Sequence, residues 1–132
     1  MSKNMAHVHL GFGAVRPYLY GPTALLDLVC GALGGTEVAR HVFSEKAFHL
    51  EVQIADSILV LELSDPPHVG GRPAATYVYV PDVDAVYAKA LALGAQSISA
   101  PSDKPYQERA AALRDAFGNI WYVSTYIGGG KV

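Results

Sequence analysis

Between residues 47 and 63 apolar and polar side chains alternate with a period of two. Phe48, Leu50, Val52 and Ile54 form one stripe, opposite His49, Glu51 and Gln53. After a turn at Ala55-Asp56, Leu59, Leu61 and Leu63 form a second stripe, opposite Ile58, Val60 and Glu62. Successive strand side chains point to opposite faces, so the pattern predicts a hairpin with one wholly apolar face. That face should pack on a helix, turning His49, Glu51, Gln53 and Glu62 the other way.

The flanking patterns supply the helix. Residues 15–20 read as a short strand closed by Gly21-Pro22. Ala24, Leu25, Leu26, Leu28, Val29, Ala32 and Leu33 then make a largely apolar helix, with Thr23 as its cap and Gly34-Gly35 as its stop. Residues 36–43 form the next strand. The segment 64–74, SDPPHVGGRPA, is the richest run of turn residues in the chain.

The same order then recurs. Residues 77–94, YVYVPDVDAVYAKALALG, repeat residues 18–35, YLYGPTALLDLVCGALGG, at an offset of 59. Tyr18 matches Tyr77, Tyr20 matches Tyr79, Pro22 matches Pro81 and Gly35 matches Gly94. The identities fall on the strand, the turn and the helix stop, which marks a duplicated unit. In the second copy Asp82 is the cap, Asp84 suits the positive end of the helix dipole, and Val83, Val86, Tyr87, Ala90 and Leu91 share one face. A short strand at 97–100, a polar loop at 101–105 and a hairpin of 109–114 with 119–126 complete it. The expected organisation is an N-terminal arm at 1–13, one domain at 14–127 made of modules 14–65 and 74–127 joined by linker 64–74, and a disordered tail at 128–132. Each module reads strand, helix, three strands. Two such curved sheets side by side enclose a cleft.

Composition narrows the function. Of 132 residues, 51% are hydrophobic and 17% charged, which is one globular domain with a real core. A formal net charge of -2 with scattered Lys and Arg argues against nucleic acid as a partner. No apolar run reaches membrane-spanning length and the start is not a secretory signal, so neither a membrane partner nor export is expected. One cysteine, Cys30, forms no internal disulfide and reads as a small apolar helix residue in a reduced cytoplasm. His7 and His9 form an H-x-H that could ligate a metal from one strand face, but a frayed arm or an edge strand with two solvated imidazoles is the simpler reading.

A duplicated βαβββ unit containing VPDVDAVYAKALALGA and DAFGNIW resembles the vicinal oxygen chelate superfamily. That group comprises glyoxalase I, extradiol dioxygenases, fosfomycin-resistance enzymes and bleomycin-binding proteins, and the closest resemblance is to the small glyoxalase/bleomycin-resistance-like proteins. The likeness covers most of residues 14–127. Ala116 stands where the family motif usually has Pro, and the first helix has Leu28 and Val29 near the place of a common aromatic pair. The resemblance implies an α+β fold of two tandem βαβββ modules forming curved sheets around a cleft, and a homodimer.

In metal-dependent members, ligands come from the first and last strands of each unit. Carried onto this chain, those places hold Arg16, Ala75 and Tyr122, with Glu62 as the nearest carboxylate of the first unit. An always-cationic Arg, an Ala, a Tyr and one Glu do not make a divalent-metal site. No cofactor is therefore expected. A weak alternative places a relocated metal on His49, Glu51 and Glu62, or gives His49 and Glu62 acid–base roles; a hydrogen-bonded polar lining explains the same residues.

Strand parity says what replaces the ligands. If Arg16 and Ala75 face the cleft, Tyr18, Tyr20, Tyr77, Tyr79, Tyr122 and Tyr126 face it too, while Trp121 packs on the helix side. Amphipathic phenol rings suit a flat, partly apolar organic molecule; the same rings could instead fill a core or a dimer seam. The resemblance implies that Tyr106 and Arg109 fall where related small proteins carry a loop over the cleft mouth, and there Arg109 could meet an anionic group or pair with Asp115. The expected ligand-binding set is Arg16, Tyr18, Tyr20, His49, Glu62, Tyr77, Tyr79, Tyr106, Arg109 and Tyr122. The leading function is metal-independent binding of a small aromatic or amphipathic organic molecule in the cleft between the modules, as in drug-sequestering resistance proteins. The alternatives are a glyoxalase-type lyase or dioxygenase, and a structural dimer with no small ligand.

Overall fold

A computed structural model describes residues 5–128. Residues 1–4 of the expected arm and 129–132 of the expected tail lie outside the described residues. The chain folds as an α+β protein of two βαβββ modules. The first contains β1 (Tyr18–Gly21), α1 (Leu25–Gly31), β2 (Thr36–Ser44), β3 (Ala47–Ile54) and β4 (Ser57–Ser64). The second contains β5 (Ala75–Tyr79), α2 (Val83–Ala92), β6 (Gln96–Lys104), β7 (Glu108–Arg114) and β8 (Ile120–Tyr126). Each module builds a four-stranded sheet, ordered β1-β4-β3-β2 and β5-β8-β7-β6. The first and last strands of each module pair in parallel and the others antiparallel.

Alternation decides which face is buried. Leu50, Val52, Leu59, Leu61 and Leu63 are at most 3% exposed and join one apolar core with α1, Val78, Leu113, Trp121 and Val123. Burying each such side chain contributes about 1.5–3 kcal/mol against leaving it in water. The opposite parity carries His49, Glu51 and Glu62 on one sheet and Tyr77, Tyr122 and Ser124 on the other. Both helix-side faces feed the same core, so the polar and aromatic faces turn away from it.

Local details depart from the sequence expectation in two places. Thr23 does not cap α1: its backbone N–H and hydroxyl both bond to Asp65, and the cap position is Ala24 with no side-chain bond. Within the expected Gly34-Gly35 stop of α1, the left-handed residue is Gly34, φ 79°. Gly35 matters for a different reason, because a Cβ there would lie 2.7 Å from Val52 Cγ1 and 2.9 Å from the Val29 carbonyl. The expected polar loop at 101–105 is mostly strand, since β6 runs to Lys104 through an irregular register between Ser99 and Ser102. In α2, by contrast, Asp82 accepts from Ala85 N–H at 3.2 Å, as its cap role requires.

The turn between β7 and β8 ties the modules together. Asp115 accepts from the N–H groups of Phe117 and Asn119, from Asn119 Nδ2 and from Trp121 Nε1, each at 2.9–3.0 Å. Asn119, fully buried, accepts from Ala74 N–H and donates to the Tyr20 carbonyl of the first module. The DAFGN run is therefore a structural knot. Its polar residues are spent on the backbone and on the indole.

Candidate functional site

The aromatic face of the second sheet is built on three adjacent strands. Tyr77 and Tyr79 alternate on β5, Tyr122 and Ser124 stand beside them on β8, and Glu108 opens β7. Tyr77, Tyr79 and Tyr122 are 43–58% exposed, so they neither fill the core nor pack on a helix. The Tyr77 ring meets Tyr79 edge-on at 5.5 Å and stacks with Tyr122 at 6.3 Å. Beside them a hollow of about 160 Å³ is lined by Tyr77, Ser99, Lys104, Tyr106, Ala110 and Tyr122, among others.

Glu108 is the anchor of this face. It is buried, and it accepts hydrogen bonds from the hydroxyls of Tyr77, Tyr79 and Ser124, the last at 2.8 Å. Those bonds, led by the one from Tyr77, hold its carboxyl below the usual carboxylate value. The same contacts act on the phenols in reverse. Tyr79 is pushed up to about 12, first by its bond to Glu108, and Tyr77 is raised by burial and then by Glu108.

The first sheet carries a related but different cluster. Tyr18 donates to Glu62 at 2.7 Å, and His49 Nδ1 lies 3.0 Å from the same oxygen. Burial would raise the Glu62 carboxyl, but the bonds from Tyr18 and His49 outweigh it and the net shift is downward. Tyr18 is raised, by burial and by Glu62. An ionised carboxylate only accepts, so the His49 hydrogen on this side sits on Nδ1. Tyr20 is half-buried against Tyr18, His68 and Phe117.

The remaining expected site residues separate. Arg16 is taken by Glu51, by the Gly13 carbonyl at 2.7 Å and by the Phe12 carbonyl at 3.0 Å, so it fastens the N-terminal segment across the first sheet. His9 adds a second contact to Glu51, from a short 3-10 turn where an edge strand was one expectation. Glu51 is thus committed, and it does not join His49 and Glu62. Among the described residues no group of three or more His, Cys, Asp or Glu is arranged to hold a metal ion. Glu62 and His49 supply two donors, while Arg16, Ala75 and Tyr122 supply none that suit a divalent cation.

Arg109 is not at the mouth of an aromatic face. Strand parity turns it to the helix side, where it pairs with Asp84 at 2.8 Å and Asp103 at 3.1 Å, and not with Asp115. Tyr106 does line the hollow. Sequence reasoning missed Glu108, although a signal was present. Counting back in twos from the buried Leu113 puts Ala111 and Arg109 on the helix side and Ala112, Ala110 and Glu108 on the aromatic side.

Comparison with known proteins places these sheets in context. Residues 22–123 match the model of the Glyoxalase/Bleomycin resistance protein/Dioxygenase superfamily. Among solved structures, TioX from Micromonospora sp. ML1 superposes with a TM-score of 0.69 at 21% identity, covering 87% of this chain and 98% of that one. TnmS3, an antibiotic binding protein from Streptomyces sp. CB03234, superposes with a TM-score of 0.59 at 20% identity, covering 83% and 91%. In sequence, uncharacterized protein Mb0911c of Mycobacterium bovis is 36% identical over 56 residues, 42% of this chain and 37% of its own length. The match thus spans little more than a third of that relative. Among the described residues no helix is long and apolar enough to cross a membrane.

Proposed function

Because this chain belongs to the glyoxalase/bleomycin resistance protein/dioxygenase superfamily, we propose that it binds a small aromatic or amphipathic organic molecule without a metal, in the manner of a cytoplasmic drug-sequestering protein. The observation that carries this reading is the open tyrosine face. Tyr77, Tyr79 and Tyr122 are large apolar surfaces left in water, with two of their hydroxyls already tied to a buried carboxylate. Preorganised rings of this kind bind a flat ligand at low entropic cost. Sequestration requires affinity alone, so it needs neither a nucleophile nor a metal site. TnmS3, an antibiotic binding protein, has the same fold.

The same geometry supports a homodimer. Each face is a single open wall, and ligand sites enclose most of their ligand's surface. A second copy of the chain would supply the opposite wall of each cleft.

The test is a thermal-shift screen of planar antibiotics and aromatic metabolites on metal-stripped protein in chelator, with sedimentation to read the oligomeric state. A specific ligand raises the melting temperature in proportion to the logarithm of its excess over Kd. The reading expects dimers and at least one stabilising planar compound. Stoichiometric bound metal required for every hit would contradict it.

A further inference from the structure

The carboxylates fix which way the phenol hydrogens point. Glu108 accepts from Tyr77, Tyr79 and Ser124. An ionised carboxylate has no hydrogen to return, so Tyr77 and Tyr79 each commit their only hydrogen to it. Toward solvent they present oxygen lone pairs. The first sheet repeats the arrangement, with Tyr18 donating to Glu62 and His49 directing Nδ1 at the same carboxylate.

Charge alone does not choose the ligand. Lys104 lines the hollow and is the cross-strand partner of Glu108, so an ammonium and a carboxylate offset each other there. Among the described residues Tyr106 and Tyr122 have no carboxylate partner, and their hydroxyls can donate or accept. What distinguishes the site is the pair of locked acceptors at the Tyr77–Tyr79 edge. Ala110 and Ala112, with side chains of one carbon, leave room for a ring beside them.

We infer that the tyrosine face of the second sheet selects a planar ligand carrying an N–H or O–H donor on its edge, and discriminates against one that presents only acceptors. This rests on the binding reading above and names the ligand class for that site. A ligand donor would bond to Tyr77 or Tyr79 oxygen, and Lys104 would take a carbonyl or other acceptor elsewhere on the same molecule. An acceptor-only ligand would instead leave lone pairs facing lone pairs, with no hydrogen between them.

The test uses three probes matched in ring and position of substitution: naphthol, methoxynaphthalene and naphthoate, titrated calorimetrically into the intact protein. Naphthol should bind about fivefold more tightly than its methyl ether, the worth of one net hydrogen bond. In Glu108→Gln an amide hydrogen can pair with a phenol oxygen and turn its hydrogen outward, so the ratio should fall toward one. Tyr79→Phe changes an exposed ring without touching the core, and should also lower the ratio if Glu108→Gln proves unstable. Equal or tighter binding of the ether or of naphthoate to the native protein, or a ratio unchanged in both variants, overturns the inference and leaves the binding reading standing. No saturable binding by any of the three overturns both.

Discussion

Ser124 holds in the second sheet the place that Glu62 holds in the first, each as the cross-strand partner of the second tyrosine of its module, and the Ser124 hydroxyl donates to Glu108 at 2.8 Å. The carboxylate has thus moved from the last strand of one module to the third strand of the other. Both modules keep the same chemistry, a glutamate that orders tyrosine hydroxyls. They reach it from different strands.

The phenol–carboxylate bonds set a pH window that can be measured. Tyr79, raised from 10.0 to about 12, contributes stability that is fully present below pH 10 and is lost as pH rises through its folded value. Glu108, lowered from 4.5, contributes stability present above 4.5 and lost as pH falls through its folded value. Tyrosinate absorbance should therefore show a late-titrating fraction. Glu108→Gln should return part of that fraction to the ordinary phenol range; an unchanged titration would show that the bonds do not form in solution.

Asp115→Ala should be among the most damaging single changes. It removes the acceptor for four donors at once, including the indole N–H of fully buried Trp121. With buried donors left unmade, the cost should be about 3 kcal/mol or more. Denaturant unfolding followed by Trp121 fluorescence reads it directly. A cost near zero would mean that water replaces the carboxylate.

The adjacent glycines after α1 should separate in effect. Gly34→Ala places a Cβ in open space but at φ 79°, costing about 1–2 kcal/mol from backbone strain alone. Gly35→Ala drives a Cβ against Val52 and the Val29 carbonyl, and overpacking of this kind costs about 1–3 kcal/mol while shifting the first sheet. Thermal unfolding gives the size of each. Amide chemical shifts on β3 should move in the second variant only.

Arg109→Ala should leave ligand affinity unchanged, because the guanidinium sits on the helix side with Asp84 and Asp103. Titration of this variant beside Tyr79→Ala separates the face from its reverse. Affinity should fall in the tyrosine variant alone.

Much of this was legible in the chain because strand parity is simple. The stripe of Leu50, Val52, Leu59, Leu61 and Leu63 placed the core, and by exclusion placed Glu62 and His49 on one open face. The tyrosine pairs followed from the repeat. One failure depended on a contact distant in sequence, where Asp65 takes Thr23 from its cap role. Arg109 failed for a local reason: parity counted from Leu113 turns it to the helix side, where Asp84 and Asp103 hold it. Glu108 was hidden by one residue. Starting β7 at Arg109 instead of Glu108 made a buried acceptor look like part of a loop.

The most direct measurement of the central claim is an NMR titration of tyrosine-ring-labelled, metal-stripped protein with naphthol. The account predicts saturable shifts of the Tyr77, Tyr79 and Tyr122 ring signals, with the Trp121 indole unmoved. Shifts that require added divalent metal, that fall on Trp121 instead, or that never saturate would contradict it.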